Sequence, residues 1–296
     1  ITDPTEAGIR LDVFLSQQNP AISRQKIQEH IKNKCVSVNQ TIITKPRYAL
    51  KANDTITFTF IMNEVTEDKP QAMDLAIVHE DNDILVINKP AGLVVHPGSG
   101  QADSTLLNGL LHHAPHLKQL PRAGIVHRLD KDTSGLMVIA KSMLAYQKLV
   151  DCLKERQVKR IYHALVYGHT PLSWTVEAPI ARHPTQRTLM SVQPHGKPAK
   201  THFLKLQELG PYTLLQCQLE TGRTHQIRVH LLHSNHPIVG DPTYRRAIKM
   251  PQLPHPEATA AIQTLNRQFL HAISLAFHHP LSNAPLTFTA QYPEEL

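Results

Sequence analysis

The sequence predicts an α+β protein: a mixed, largely antiparallel sheet with flanking helices, preceded by a small α/β module. Three observations carry that expectation. Strand-like apolar runs and helix-like amphipathic stretches both occur, but they do not alternate as regular strand–helix–strand units, which argues against a parallel doubly wound sheet. No internal repeat period is present, which argues against solenoids and propellers. The charge is also uneven. Residues 1–60 carry eight Lys/Arg against five Asp/Glu, residues 61–74 carry one against four, and the rest is basic again. Two basic bodies, 8–60 and 74–296, are therefore expected, joined by a linker over 61–73 that lacks periodicity.

Composition narrows the classes of function. Hydrophobic residues make up 41% of the 296-residue chain but aromatics only 5%, so its cores must be built from Leu, Ile and Val. The net charge of +7 points to a polyanionic partner, because Lys and Arg gain affinity by releasing counterions from phosphates. Cys35, Cys152 and Cys217 are far apart and form no Cys-x-x-Cys pair, which fits a reducing cytoplasm and no disulfide framework. Twenty His are scattered without metal-ligand spacing, so no metal site is expected. No apolar run approaches the ~18 residues of a membrane span. The start, Ile-Thr-Asp-Pro, does not read as a signal peptide, and the missing Met points to a trimmed N-terminus. Neither Gly-x-Gly-x-x-Gly nor a phosphate-binding loop ending Gly-Lys-Ser/Thr occurs, so no nucleotide cofactor is expected.

In the first body, Leu11, Val13, Phe14 and Leu15 predict a short helix. Ser23 is placed to cap a second helix over 24–34, with Ile27 and Ile31 one turn apart on its buried side. Val36 and Val38 alternate into a strand, Asn39-Gln40 makes a turn, Ile42-Ile43 returns, and 55–60 alternates as a last strand. Arg24, Lys26, Lys32, Lys34, Lys45 and Arg47 fall mostly on polar positions, the pattern of a small RNA-binding module. Arg10-Leu11-Asp12, Ser23-Arg24, Val36-Ser37-Val38-Asn39 and Lys45-Pro46 resemble the S4-like RNA-binding domain. Gln40 stands where that family usually has Gly.

The second body opens with Ile77-Val78 and Ile84–Ile87, two strands around an Asp81-Asn82-Asp83 turn, followed by the Pro/Gly-fixed loop Asn88-Lys89-Pro90-Ala91-Gly92. Residues 105–113 predict a helix buried through Leu106, Leu107, Leu110 and Leu111. Residues 124–135 pack one His, one Arg and two carboxylates between two glycines, immediately before the buried strand 136–140. Charged groups at a strand end on a Gly-punctuated loop are how a reactive side chain is rigidly mounted. Chemistry alone leaves Asp130 open as nucleophile, metal ligand or ion-pair partner. A helix capped by Ser142 runs to 155, and 161–167 is a strand containing Tyr162. Residues 183–202, rich in Pro, His and basic side chains, predict an exposed hairpin or loop suited to gripping a backbone. Residues 212–220 form a strand, and Thr224 is expected to cap a helix over 225–233 in which Ile227 and Leu231 point inward. Two strands, 269–279 and 286–292, close the chain.

His127-Arg128-Leu129-Asp130 with Thr133-Ser134-Gly135 resembles the signature of the RluA-type pseudouridine synthases. The resemblance extends in order through Asn88–Gly92, the Tyr162 strand, Thr221-Gly222-Arg223-Thr224-His225-Gln226-Ile227-Arg228 and Leu270-His271-Ala272, covering essentially 75–292. It implies the pseudouridine synthase fold with a central RNA-binding cleft, and isomerisation of uridine without cofactor. It also implies catalytic roles for Asp130, Arg228 and Tyr162, with Arg228 keeping the Asp130 carboxylate ionised and Tyr162 stacking on the target base. Arg128 resembles the residue that fills the gap left by a flipped-out base, and Arg223 is assigned with Arg24, Lys26, Lys32 and Lys34 to RNA contact. His127 is expected to order the loop by hydrogen bonding. Val95-His96-Pro97-Gly98, Pro121-Arg122-Ala123-Gly124 and Arg182-His183-Pro184-Thr185, with the S4-like module, look closest to the bacterial members acting on the large ribosomal subunit. That implies the helix 69 stem-loop of 23S rRNA as target, for a cytoplasmic monomer. The competing readings are a sibling enzyme acting on tRNA or another 23S site, and a non-catalytic rRNA-binding assembly factor. A retaining glycosidase would need a second carboxylate across the bond, and no convincing partner is visible.

Overall fold

A computed structural model describes residues 2–19, 24–59, 69–98, 101–186, 188–245, 260, 262 and 264–296, except the side chains of Gln25 and Lys26. Ser23 and residues 61–68 of the expected linker lie outside the described residues. The chain divides into two compact units, Ile1–Glu67 and Asp68–Leu296.

In the first unit, helices α1 (Leu11–Gln18) and α2 (Arg24–Lys32) accompany a three-stranded antiparallel sheet of β1 (Val36–Val38), β2 (Thr41–Ile42) and β3 (Ile56–Phe58) in the order β2-β1-β3. Leu11, Phe14, Leu15, Ile27, Ile31, Val36, Val38 and Leu50 form its core. Both residues of the Asn39-Gln40 turn have positive φ, 50° and 67°, the left-handed pair that a two-residue hairpin requires. Gln40 therefore adopts a conformation that its Cβ disfavours. Asn39 compensates locally: its Oδ1 accepts the Thr55 amide and its Nδ2 donates to Asp54, both at 2.8 Å.

The second unit is built on a nine-stranded sheet. Its strands are β4 (Ile77–Glu80), β5 (Ile84–Lys89), β6 (Ser134–Ala140), β7 (Lys159–Tyr167), β8 (Ser173–Glu177), β11 (Lys200–Leu209), β12 (Tyr212–Leu219), β13 (Leu270–His278) and β14 (Pro285–Thr289). The order is β4-β5-β6-β13-β7-β12-β11-β8, with β14 on β13. The β6–β13 pair is parallel and the other pairings of this sheet are antiparallel, so the sheet is mixed and largely antiparallel, as the sequence predicts. A separate hairpin pairs β9 (Ile180–Arg182) with β10 (Met190–Val192).

Helix α3 (Leu106–His113) buries its leucines in a core with Ile87, Met137, Ile139, Ala164 and Leu270. Gly109 in that helix admits the Met73 side chain, whose Cγ and Sδ lie 2.4 Å from where a Cβ would stand. Residues 69–73 are also tied to α3 by bonds between Gln71 and Asn108 and between Asn108 and Lys69. Helix α4 (Met143–Lys154), capped by Ser142, covers Ile84, Val86, Leu136, Val138 and Leu275. Alternation along β6 thus feeds two cores, with Met137 and Ile139 in one and Leu136 and Val138 in the other. No helix among the described residues is long and apolar enough to cross a membrane.

One boundary is corrected. Helix α5 runs Gln226–His233, and its N-cap is His225 in the left-handed conformation (φ 57°), not Thr224. The cause is Gln226, whose Oε1 accepts the Arg223 amide at 2.9 Å and the Thr221 hydroxyl at 2.7 Å. Its Nε2 donates to Lys200 O at 3.0 Å. Residues 221–224 therefore belong to a turn organised by a glutamine side chain, and the first helical amide, Gln226 N, donates to the Arg223 carbonyl at 3.1 Å and not to a capping side chain.

Candidate active site

Asp130 sits in the loop between Ile125 and β6, where its carbonyl accepts the Thr133 amide at 3.1 Å. Two features hold this loop against the sheet. His127 Nε2 accepts the Val138 amide at 3.0 Å. Gly135, at φ 119°, lies so close to β13 that a Cβ would meet the Ala272 backbone at 2.4–2.7 Å. A nitrogen that accepts an amide proton carries none itself, so His127 is the Nδ1–H tautomer. Burial pushes its pKa down to about 3, with Arg160 adding to the shift, so the ring is neutral at physiological pH.

Arg228 arrives from α5. Its Nη1 donates to Asp130 Oδ2 at 3.1 Å, while Nε and Nη2 form a fork on Asp241 at 2.7 and 2.9 Å. The side chains of Arg228, Asp130 and Asp241 are 6%, 15% and 0% exposed, so this is a desolvated three-group cluster. Burial alone would lower the Arg228 pKa, but the carboxylates of Asp241 and Asp130 hold it above its ordinary value. Burial would likewise raise Asp241, and the Arg228 bonds outweigh it to keep that carboxyl below its usual range. Asp241 also accepts the amides of Thr243 and Tyr244, which fixes the fork. The Tyr244 ring lies 4.8 Å from the guanidinium carbon. Its hydroxyl accepts the Met190 amide at 2.8 Å and bonds His225 Nδ1 at 2.7 Å, which ties the β9–β10 hairpin to the site. His225 Nε2 stands 4.0 Å from Asp130 Oδ1.

Tyr162 is directly across from Cys217 on β12 and only 5% exposed. Burial pushes its phenol up, and the Asp130 charge adds to that, so the hydroxyl keeps its proton. Arg128 is exposed, two residues ahead of Asp130. Arg223 is half-buried at the start of the Gln226 turn and donates to Pro198 O at 3.0 Å. The structure therefore brings Asp130 and Arg228 into contact and places Tyr162 within range of the Asp130 charge.

In the first unit, Lys32 and Lys34 are exposed at the end of α2. The Lys26 side chain is outside the described residues. Arg24 is less free than its sequence position suggests: it donates at 3.1 and 2.9 Å to Asp12, a fully buried carboxylate that also takes Arg10. Its side chain is still 47% exposed, so the guanidinium joins a structural role to whatever it meets outside.

Sequence pattern does not single out Asp241, Tyr244 or Lys89. A Gly-Asp-Pro triplet thirteen residues after an arginine on a buried helix face is the one local signal for Asp241. Only the resemblance draws attention to Lys89. Asp81, Asp83 and His279 have the spacing of metal ligands, but Asp81 is bonded to His79 and to the amides of Asp83 and Ile84, and Asp83 to Ser142.

The family model for RNA pseudouridylate synthase matches residues 83–233, and that for the S4 domain matches residues 9–56. Over 291 residues, 98% of this chain and 89% of the relative, the sequence is 44% identical to ribosomal large subunit pseudouridine synthase D of Escherichia coli (strain K12). It is 42% identical over 292 residues to the protein of that name from Vibrio vulnificus (strain CMCP6), covering 99% of this chain and 90% of the relative. Among solved structures, human RNA pseudouridylate synthase domain containing 1 is similar with a TM-score of 0.57 at 28% identity, covering 76% of this chain and 86% of that one.

Proposed function

Since this chain belongs to the RNA pseudouridylate synthase family, we propose that it isomerises uridine to pseudouridine in 23S ribosomal RNA, in the helix 69 stem-loop of the large subunit. The near full-length likeness to ribosomal large subunit pseudouridine synthase D supports the choice of RNA. The S4 domain match supports an RNA-gripping module ahead of the catalytic unit.

The chemistry follows from the bonds that change. Uridine is held through N1. Its N1–C1′ bond must break, the freed uracil must rotate, and C5 must bond C1′ while C5 loses a proton and N1 gains one. The sequence is redox-neutral and needs no energy source or cofactor. It does need an ionised carboxylate beside the sugar, which adds to C1′ or to the base, or removes a sugar proton to give a glycal. Asp130 is that group in this reading. The observation that carries it is the 3.1 Å contact from Arg228, itself locked by the fork on Asp241. Arg228 orients the carboxylate and stabilises its charge when the target base closes the site to water. Tyr162 offers an aromatic face for the uracil.

A base in a stem cannot reach such a buried carboxylate without flipping out, at a cost of a few kcal/mol. Arg128, exposed two residues away, fills the vacated stack. The protein acts in the cytoplasm as a monomer, which light scattering with and without RNA checks. Incubation with a helix 69 transcript and with whole 23S rRNA, followed by base-resolution pseudouridine mapping, tests the function. Product in helix 69 is expected. Product only in tRNA or elsewhere in 23S rRNA would overturn the target, and no product on any RNA would overturn the activity.

A further inference from the structure

Arg160 on β7 is a buried cation with nothing to pair with. It is 8% exposed, yet its side chain forms no hydrogen bond and no ion pair among the described residues. Its Nε is sealed from solvent without an acceptor, whereas the two Nη nitrogens are not sealed, so the guanidinium ends at an opening. The other two buried arginines, Arg228 and Arg267, each hold a carboxylate. A charge kept out of water without a partner is costly, and a protein that tolerates one has a use for it.

The surroundings of the guanidinium say what completes it. Arg160 and Tyr162 are two residues apart on β7, so both side chains lie on one face of the sheet. Nη1 lies against Gly222, 3.0 Å from where a Cβ would stand. Gly222 belongs to the turn that carries Arg223 and leads into α5. The Arg160 charge also acts on His127, in the loop that carries Arg128 and Asp130. The Nδ1–H of His127 is likewise sealed without an acceptor. The nearest catalytic carboxylates do not serve, because Asp130 and Asp241 are both committed to Arg228. This part of the site therefore holds donors and lacks an anion. Water or a uracil carbonyl would accept a hydrogen bond there but leave the charge uncompensated. A phosphate supplies the charge together with paired oxygens that match a guanidinium.

We propose that Arg160 is a substrate-binding residue whose Nη nitrogens take a backbone phosphate of the RNA strand, at or next to the uridine that flips into the site. Such a contact anchors the strand at the point where the base leaves its stack. The inference rests on RNA being the substrate, as the proposed function has it, and not on which group attacks the sugar.

The test measures binding of wild type, Arg160→Gln and Arg160→Met to a series of helix 69 RNAs in which one phosphate at a time is replaced by a neutral methylphosphonate. Near-UV circular dichroism serves as the check on folding. With unmodified RNA the variants should bind about tenfold or more weakly. Their slope of log affinity against log salt should be shallower by roughly 0.7–1, one phosphate contact fewer. A replacement at or beside a target uridine should weaken wild type by a similar factor and leave both variants unaffected, because the two changes remove the same interaction. Replacements elsewhere should act equally on all three proteins. The absence of any phosphate coupled to Arg160 overturns the proposal, as does a variant that binds RNA like wild type with an unchanged salt slope.

If wild type forms no pseudouridine, the proposed function fails, while the phosphate coupling, which is measured by binding alone, still decides the role of Arg160. Product formed without a coupled phosphate leaves the proposed function standing and removes this contact. If neither variant folds, the ¹⁵N signals of the Arg160 guanidinium in wild type decide. A shift on adding unmodified RNA that is lost with one member of the methylphosphonate series supports the contact. Signals that do not move with RNA, or that move equally with every member, overturn it.

Discussion

Arg228 binds two carboxylates with one guanidinium, and that geometry sets what its loss does. Arg228→Ala leaves Asp241, fully buried, without its fork, which costs ~3–5 kcal/mol of stability. Urea unfolding should therefore show a clearly lowered midpoint along with the lost activity; a variant as stable as wild type would mean that Asp241 is resolvated or protonated at little cost. Arg228→Lys does no better at the site, because an ammonium cannot form the fork and reach Asp130 together. His127 and His271 set a pH dependence of stability. Burial pushes them down to about 3 and about 4, with the nearby Arg160 and Arg267 adding to the shifts. In the unfolded chain both titrate near ~6.5. Between those values the unfolded state binds more protons, so stability is full above about pH 6.5 and falls as the pH drops below it. The urea midpoint should be lower at pH 5 than at pH 7, and a flat profile would show that these rings are protonated in the fold.

At the scale of elements, the site depends on how closely β6 and β13 approach. Gly135 has a positive φ of 119° and faces the Ala272 backbone, so Gly135→Ala meets strain and collision together. A loss of at least ~3 kcal/mol is expected by thermal or urea unfolding, with the Asp130 loop displaced. A variant of near wild-type stability would show that the two strands can separate.

The element pattern is largely legible in the sequence. Runs such as 84–87 and 136–140 are too apolar to be anything but buried, and Ser142 announces α4. Strand β8 and the Gln226-centred turn are not legible. The first has no clean alternation, and in the second a glutamine side chain gathers Thr221 and Arg223 into a turn, so that the helix starts one residue later than Thr224 would set it. The site is legible in part. Asp130 stands out by its loop, but its partner is 98 residues away, a separation that no local pattern spans. Resemblance makes that connection. The burial of Lys89 and Asp241 is invisible in sequence, because charged residues are read as exposed until their partners are known.

For the whole molecule, the proposed function divides binding from chemistry between the two units. Removing residues 1–60 takes away Lys32, Lys34 and the partly exposed Arg24. RNA affinity should fall, and its salt dependence should become shallower because fewer phosphates are then neutralised and fewer counterions released. The remaining unit has its own cores around α3 and α4 and should keep its fold by circular dichroism. An unchanged salt slope would place the RNA grip in the catalytic unit alone. The central claim, that this chain makes pseudouridine in large-subunit rRNA through Asp130, is tested most directly in the cell. Pseudouridine is mapped at base resolution across all RNA in cells lacking the protein, then restored with wild type or with Asp130→Asn. The account predicts that helix 69 pseudouridines vanish with the gene, return with wild type and stay absent with Asp130→Asn, although that variant still binds the RNA. Modification restored by Asp130→Asn, or helix 69 unchanged when the protein is absent, would contradict it.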